Sequence, residues 1–148
     1  RPGLIEQAVA FQEMAKPAGV NVEIRRVPTD VYWAETWMKV PLFMSNWNLR
    51  ASTDEHISIA YHSEADWNEH NWKSPELDRL IEAARGEGDE ERRAELYAEA
   101  QSLLSEQGGV IIAFFKPIIM ATRKEVGGFQ PHPSSWINLR DTWLTEQA

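Results

Sequence analysis

A run of six apolar residues, Val110-Ile111-Ile112-Ala113-Phe114-Phe115, sits directly behind Gly108-Gly109 and constrains the fold more than any other feature. It is too short to cross a bilayer, and it lacks the polar alternation of a strand with one wet face. Such a run suits a strand covered on both faces, which is the condition inside a parallel sheet flanked by helices. The earlier sequence offers elements of that kind. Leu4, Ala8, Phe11 and Ala15 recur on one helical face, so an amphipathic helix is expected over Leu4–Ala15, ended by Pro17 and Gly19. Val20, Val22 and Ile24 then alternate with Asn21, Glu23 and Arg25, the period of a half-buried strand. Thr29 or Asp30 caps a second expected helix reaching residue 39, and Pro41 opens a short strand over 42–44. Helix and strand in alternation predict right-handed crossovers and a mixed, largely parallel sheet flanked by helices, an α/β fold.

Further along, Ser74-Pro75-Glu76 is a strong helix start: a capping hydroxyl, a proline in the first turn, and a carboxylate favoured by the helix dipole. Leu77, Leu80, Ile81 and Ala84 form its apolar stripe, and Gly86 and Gly88 break it. Asp89 caps a following helix whose apolar face is Leu96, Ala100, Leu103 and Leu104, so the two should form a helical hairpin. Residues 46–73 differ in character, being rich in Trp, Asn, His, Ser and acidic residues, with one helical stretch over 54–61. A long aperiodic stretch in a compact domain is usually functional, and its aromatic content opposes disorder. Residues 118–122 read as a second extended segment, and 127–144, with Pro131 and Pro133, as irregular.

The formal net charge of −8 opposes nucleic-acid binding and docking on an anionic membrane, both of which need a cationic surface. The absence of cysteine excludes disulfides, thiolate metal sites and cysteine nucleophiles. No nucleophile elbow marks out a catalytic serine. Gly108-Gly109 and Gly127-Gly128 fit turns rather than a phosphate loop, so neither catalysis nor a cofactor is expected. Seven tryptophans are more than a core of this size needs, and such rings suit ligand-facing surfaces as well as cores.

Taken in order, these segments resemble the C-terminal portion of extracytoplasmic solute-binding family 5, whose members bind dipeptides, oligopeptides or nickel. The resemblance is carried by AKPAGVNVEIRRVPTDVYW at 15–33, by SNWNLRASTDEHISIAY at 45–61, by WKSPELDRLIEAARGEGDEERRAELYAEAQSLLSEQGGVIIAFF at 72–115, and by KEVGGF at 124–129. It implies the later lobe of a periplasmic binding protein-like (type II) fold. Residues 1–115 would form the ligand-binding lobe and 116–148 the crossover and tail returning to a missing N-terminal lobe. It also implies a periplasmic or extracytoplasmic location, a peptide or other small solute as ligand, and an ABC permease in the membrane as partner. Arg1-Pro2-Gly3 reads as an internal start with no signal peptide in view. A lone lobe would expose surface meant to be covered, so a dimer of the fragment is expected. The competing reading is an independent small α/β module, a hydrolase or interaction domain unrelated to transport.

Two segments stand out as candidate ligand-binding sites. In peptide-binding relatives a segment starting with Trp supplies an aspartate for the ligand's α-amino group; in Trp47-Asn48-Leu49-Arg50 its place falls on Leu49 or Arg50. A guanidinium prefers a carboxylate or phosphate, so Arg50 facing a cleft would hold an anionic group. The plainer alternative is that Arg50 pairs with Asp54 or another acidic neighbour and braces the loop. Trp67 and Asn68 form the second segment, with Trp72 nearby: the rings could pack on a ligand while Asn68 offers a donor and an acceptor. Alternatively the rings cap the helical hairpin and Asn68 fixes a turn. His56, His62 and His70 lie among carboxylates, but their spacing gives no i, i+4 pair, and no metal site is assigned.

Overall fold

The structure, a computed structural model, describes residues 3–132 and 134–145. The chain divides into two units, one formed by Arg1–Trp47 with Glu69–Asn71, the other by Asn48–Asn68 with Trp72–Ala148.

The first unit opens with α1, Leu4–Ala15, whose bounds match the apolar periodicity. A short 3₁₀ turn, Lys16–Ala18, carries it into Gly19, whose N–H donates to the Lys16 carbonyl at 2.9 Å. Gly19 has φ 76°, a left-handed conformation that costs a residue with a Cβ and leaves glycine unstrained. The next helix departs from expectation. Instead of running from 29 to 39, α2 spans Thr29–Val31 and widens into a π-helical turn over Tyr32–Thr36. The Trp37 N–H donates to the Tyr32 carbonyl at 2.9 Å, and Met38 takes a positive φ of 58° that stops the helix. Tertiary bonds account for the change. The Tyr32 hydroxyl donates to the Met44 carbonyl at 2.9 Å and the Trp37 indole is drawn to Glu69, so both rings are held where a regular α-turn does not place them. No described residue of this unit is fully buried.

Hydrophobic core is concentrated in the second unit, on α3 (Thr53–Ala60), α4 (Pro75–Gly86) and α5 (Glu90–Gln107). Each start is capped by its own sequence. The side chains of Ser52, Ser74 and Asp89 accept from the N–H groups of Glu55, Leu77 and Arg92, satisfying donors that a helix leaves orphaned. Leu77, Leu80, Ile81 and Ala84 of α4 are buried with Leu96, Ala100 and Leu104 of α5, as a helical hairpin requires. Ile57, Ala60 and Tyr61 from α3 and its end complete the buried set. Asp54 ties α3 to α4 by accepting from Arg85 Nε at 3.2 Å.

The expected parallel sheet is not formed among the described residues. The segments 20–24, 42–44, 110–115 and 118–122 carry no regular secondary structure. The sheet present is antiparallel and two-stranded: β1, Val126–Gly127, pairs with β2, Trp143–Leu144. The Trp143 ring lies over Gly127 and Gly128 so closely that a Cβ on either would collide with it, and Gly128 has φ 71°. The run at 110–115 is exposed instead of covered, with Ile111 at 66% and Phe115 at 92%. A parallel strand is held only by neighbours distant in sequence, and no described segment supplies them. The result is a helix-rich chain with one small β pair, compatible with an α/β segment but without a parallel sheet of its own.

Candidate functional site

In the first unit, three neutral donors converge on one carboxylate. Glu69 accepts from the Trp37 indole N–H at 2.5 Å, from the Trp47 indole N–H at 2.6 Å and from the Ser45 hydroxyl at 3.0 Å. Both carboxylate oxygens are engaged, Oε1 by Trp47 and Oε2 by Trp37 and Ser45. Trp33 packs edge-on against Trp37, with ring centroids 5.4 Å apart, and Tyr32 packs edge-on against Trp33 at 5.0 Å. Burial holds the adjacent His70 below the usual histidine value, outweighing the opposite pull of the Glu69 charge. Sequence reading treated Glu69 only as one of several acidic residues near histidines. The signal that points to it is indirect: indole N–H groups can only donate, so a tryptophan-rich unit needs acceptors.

The second unit holds the other candidates. Asn48 and Leu49 are exposed. The Arg50 guanidinium lies 3.7 Å from the Glu55 carboxylate and donates to the Asn48 carbonyl at 3.4 Å. Its ion partner is therefore Glu55, while Asp54 is engaged by Arg85. Glu55 also accepts from the Ala51 N–H at 3.1 Å, so it holds both the loop and the start of α3.

Asn68 is buried, with 5% exposure. Its amide nitrogen donates to the carbonyls of Trp72 at 3.0 Å and His62 at 3.3 Å, and its backbone N–H donates to Ala65 at 3.1 Å. These bonds close the loop between α3 and α4, which Asp78 secures further by accepting from the Ser63 N–H at 2.8 Å. The Asn68 carbonyl oxygen is buried with no partner among the described residues. Trp67, at 46% exposure, presents half its ring surface to solvent.

The histidines have separate surroundings. His56 stacks on Tyr61, with centroids 5.8 Å apart, and His62 lies 3.6 Å from Glu82 and 3.9 Å from Asp78. No group of three or more His, Cys, Asp or Glu able to hold a metal ion occurs among the described residues. No described helix is long and apolar enough to cross a membrane.

A helix-rich segment with tryptophans exposed and half-buried around a polar loop has the character of a binding element, and comparison with known proteins narrows the class to solute-binding proteins. The chain is 25% identical over 131 residues to the dipeptide-binding protein DppE of Bacillus subtilis, covering 87% of this chain and 24% of that protein. It is 23% identical over 134 residues to the probable deoxycholate-binding periplasmic protein YgiS of Escherichia coli, covering 89% of this chain and 25% of that protein. A dipeptide-binding protein of Pseudomonas aeruginosa is 24% identical over 142 residues, covering 81% of this chain and 27% of its own length. No protein-family model matches the chain. The chain spans about a quarter of the length of the curated relatives it matches. These similarities support a solute-binding-protein-like segment without singling out one member.

Proposed function

We propose that this chain is the later lobe of an extracytoplasmic solute-binding protein that delivers a peptide or related small solute to an ABC importer. The observation that carries the reading is similarity to dipeptide- and deoxycholate-binding proteins running along 81% to 89% of the chain. In such a protein the lobe forms one wall of a cleft that closes by hinge motion, and it carries out no chemistry of its own. Residues 116–148 return to a first lobe lying outside this sequence. The N-terminal lobe and the permease are its partners, and its place is outside the cytoplasm.

Within the lobe, Arg50 holds an anionic group of the solute. Its contact with Glu55, at 3.7 Å and with the carboxylate 48% exposed, is a loose ion pair contributing under ~1 kcal/mol. A bidentate carboxylate from a solute, shielded from water as a cleft closes, makes a stronger partner. Trp67 offers an exposed ring for the solute's apolar part. Trp47 and Asn68 serve mainly as braces, through Glu69 and through the loop carbonyls respectively.

A thermal-shift screen with free di- and tripeptides, N-acylated peptides and acidic solutes tests this. Acidic or acylated solutes are expected to give the largest stabilisation, and Arg50→Ala to weaken the best of them at least about tenfold. No stabilisation by any solute would remove the binding role, and full affinity in Arg50→Ala would remove the carboxylate clamp alone.

A further inference from the structure

The Glu69 carboxylate is built in an unusual way. Its three hydrogen bonds come from two indoles and a hydroxyl, and among the described residues no lysine or arginine forms an ion pair with it. Neutral donors fix the position of a carboxylate but leave its charge intact. An ionised carboxylate offers about four lone-pair directions, so three donors leave room for one more. A partly buried carboxylate without a cation is costly to hold, and a cation arriving from outside repays that cost. Around it stand Trp37 and Trp47, whose indoles bond it, and Trp33, half-exposed and packed on Trp37. Aromatic walls lower the local dielectric and add attraction for organic cations that pass over a ring face. His70 does not neutralise the charge, because burial keeps it in the neutral form at pH 7.

We propose that Glu69, held by Trp37, Trp47 and Ser45 beside Trp33, is a binding point for an organic ammonium group. The proposal deepens the solute-binding reading above, and rests on it, by naming a cationic group on the solute. Sequence spacing directs attention to residue 49 or 50 for amine recognition, where no carboxylate stands; the fold supplies one from residue 69 instead. The same cradle could not accept an anion without expelling Glu69, so it discriminates by sign of charge.

Butylammonium and butyrate, nearly equal in size and opposite in charge, separate the outcomes when titrated into the purified protein with calorimetry and tryptophan fluorescence as readouts. Butylammonium is expected to bind and to perturb indole emission, while butyrate does not. Glu69→Gln keeps a carbonyl acceptor for the indoles but removes the charge, and should weaken butylammonium at least about tenfold. Glu69→Asp keeps the charge and should retain the preference for the cation, with far-UV circular dichroism confirming that both variants are folded. Equal response to the two probes, no response to butylammonium, or unchanged affinity in a folded Glu69→Gln protein would overturn the proposal. Stabilisation by acidic or acylated solutes in a protein that ignores butylammonium would sink this inference and leave the solute-binding reading standing.

Discussion

Asn68→Asp is nearly isosteric, yet it should be among the most damaging single changes in the loop between α3 and α4. In the native protein the Asn68 amide donates to two carbonyls, Trp72 at 3.0 Å and His62 at 3.3 Å, from a side chain in a residue only 5% exposed. An ionised aspartate has no donor at all, so it would place a negative oxygen against two carbonyl oxygens. Each buried acceptor left without its donor costs about 1–3 kcal/mol. The 3.3 Å bond is long and belongs near the lower end of that range. The expected loss at neutral pH is therefore about 3 kcal/mol. In acid the side chain becomes neutral and regains one O–H donor, enough for the Trp72 carbonyl, and the loss should shrink to about 1 kcal/mol.

The sign follows from linkage. Burial and the facing carbonyls raise the folded-state pKa of the introduced aspartate above its unfolded value of about 3.9, so the native state binds more protons. Stability relative to wild type is then greatest below about pH 4 and falls as pH rises through the folded-state value. Urea denaturation of both proteins at about pH 4 and about pH 7.5, followed by far-UV circular dichroism, measures the difference. A neutral-pH loss under ~0.5 kcal/mol, or a loss equal at both pH values, would refute the view that Asn68 braces this loop through its donors.

Leu77→Ala removes a side chain with 0% exposure from the α4–α5 packing and should cost about 2–5 kcal/mol by urea denaturation with an unchanged slope. The double change Phe115→Asp with Ile119→Asp falls on residues 92% and 87% exposed. It should alter stability by under ~0.5 kcal/mol yet reduce self-association in sedimentation velocity; unchanged association would show that this apolar stretch is not the sticky surface. His70 is held below its model value of 6.5 by burial, so its contribution to stability is present above that pH and lost as pH falls through the folded-state value. Thermal melts of His70→Gln should consequently show a shallower acid decline than wild type, and parallel curves would exclude His70 as a source of it.

The sequence by itself determined the helices and their ends. A cap is chemistry within three residues, so Ser74 and Asp89 could be read as starts before any fold was known, and both accept the N–H bonds expected of them. The stripe Leu77, Leu80, Ile81 and Ala84 was equally legible, because a helix sets its own period and the hairpin loop brings its partner close. Around the candidate site, spacing singled out Trp47 and Arg50 but not what they bind. Tertiary structure made Glu55 the partner of Arg50 and brought Glu69 to Trp37 and Trp47, which lie 32 and 22 residues away in the chain. It also broke the helix after Thr36 to hold Tyr32 and Trp37 in those contacts. The apolar run at 110–115 marks the sharpest division. Composition states that these side chains avoid water, but which residues cover them is a property of distant chain, and none of the described residues pairs with them as a strand. Local hydrogen bonds are fixed by neighbours that every copy of the sequence carries, whereas burial and convergent polar contacts depend on which remote segments the folded chain brings together.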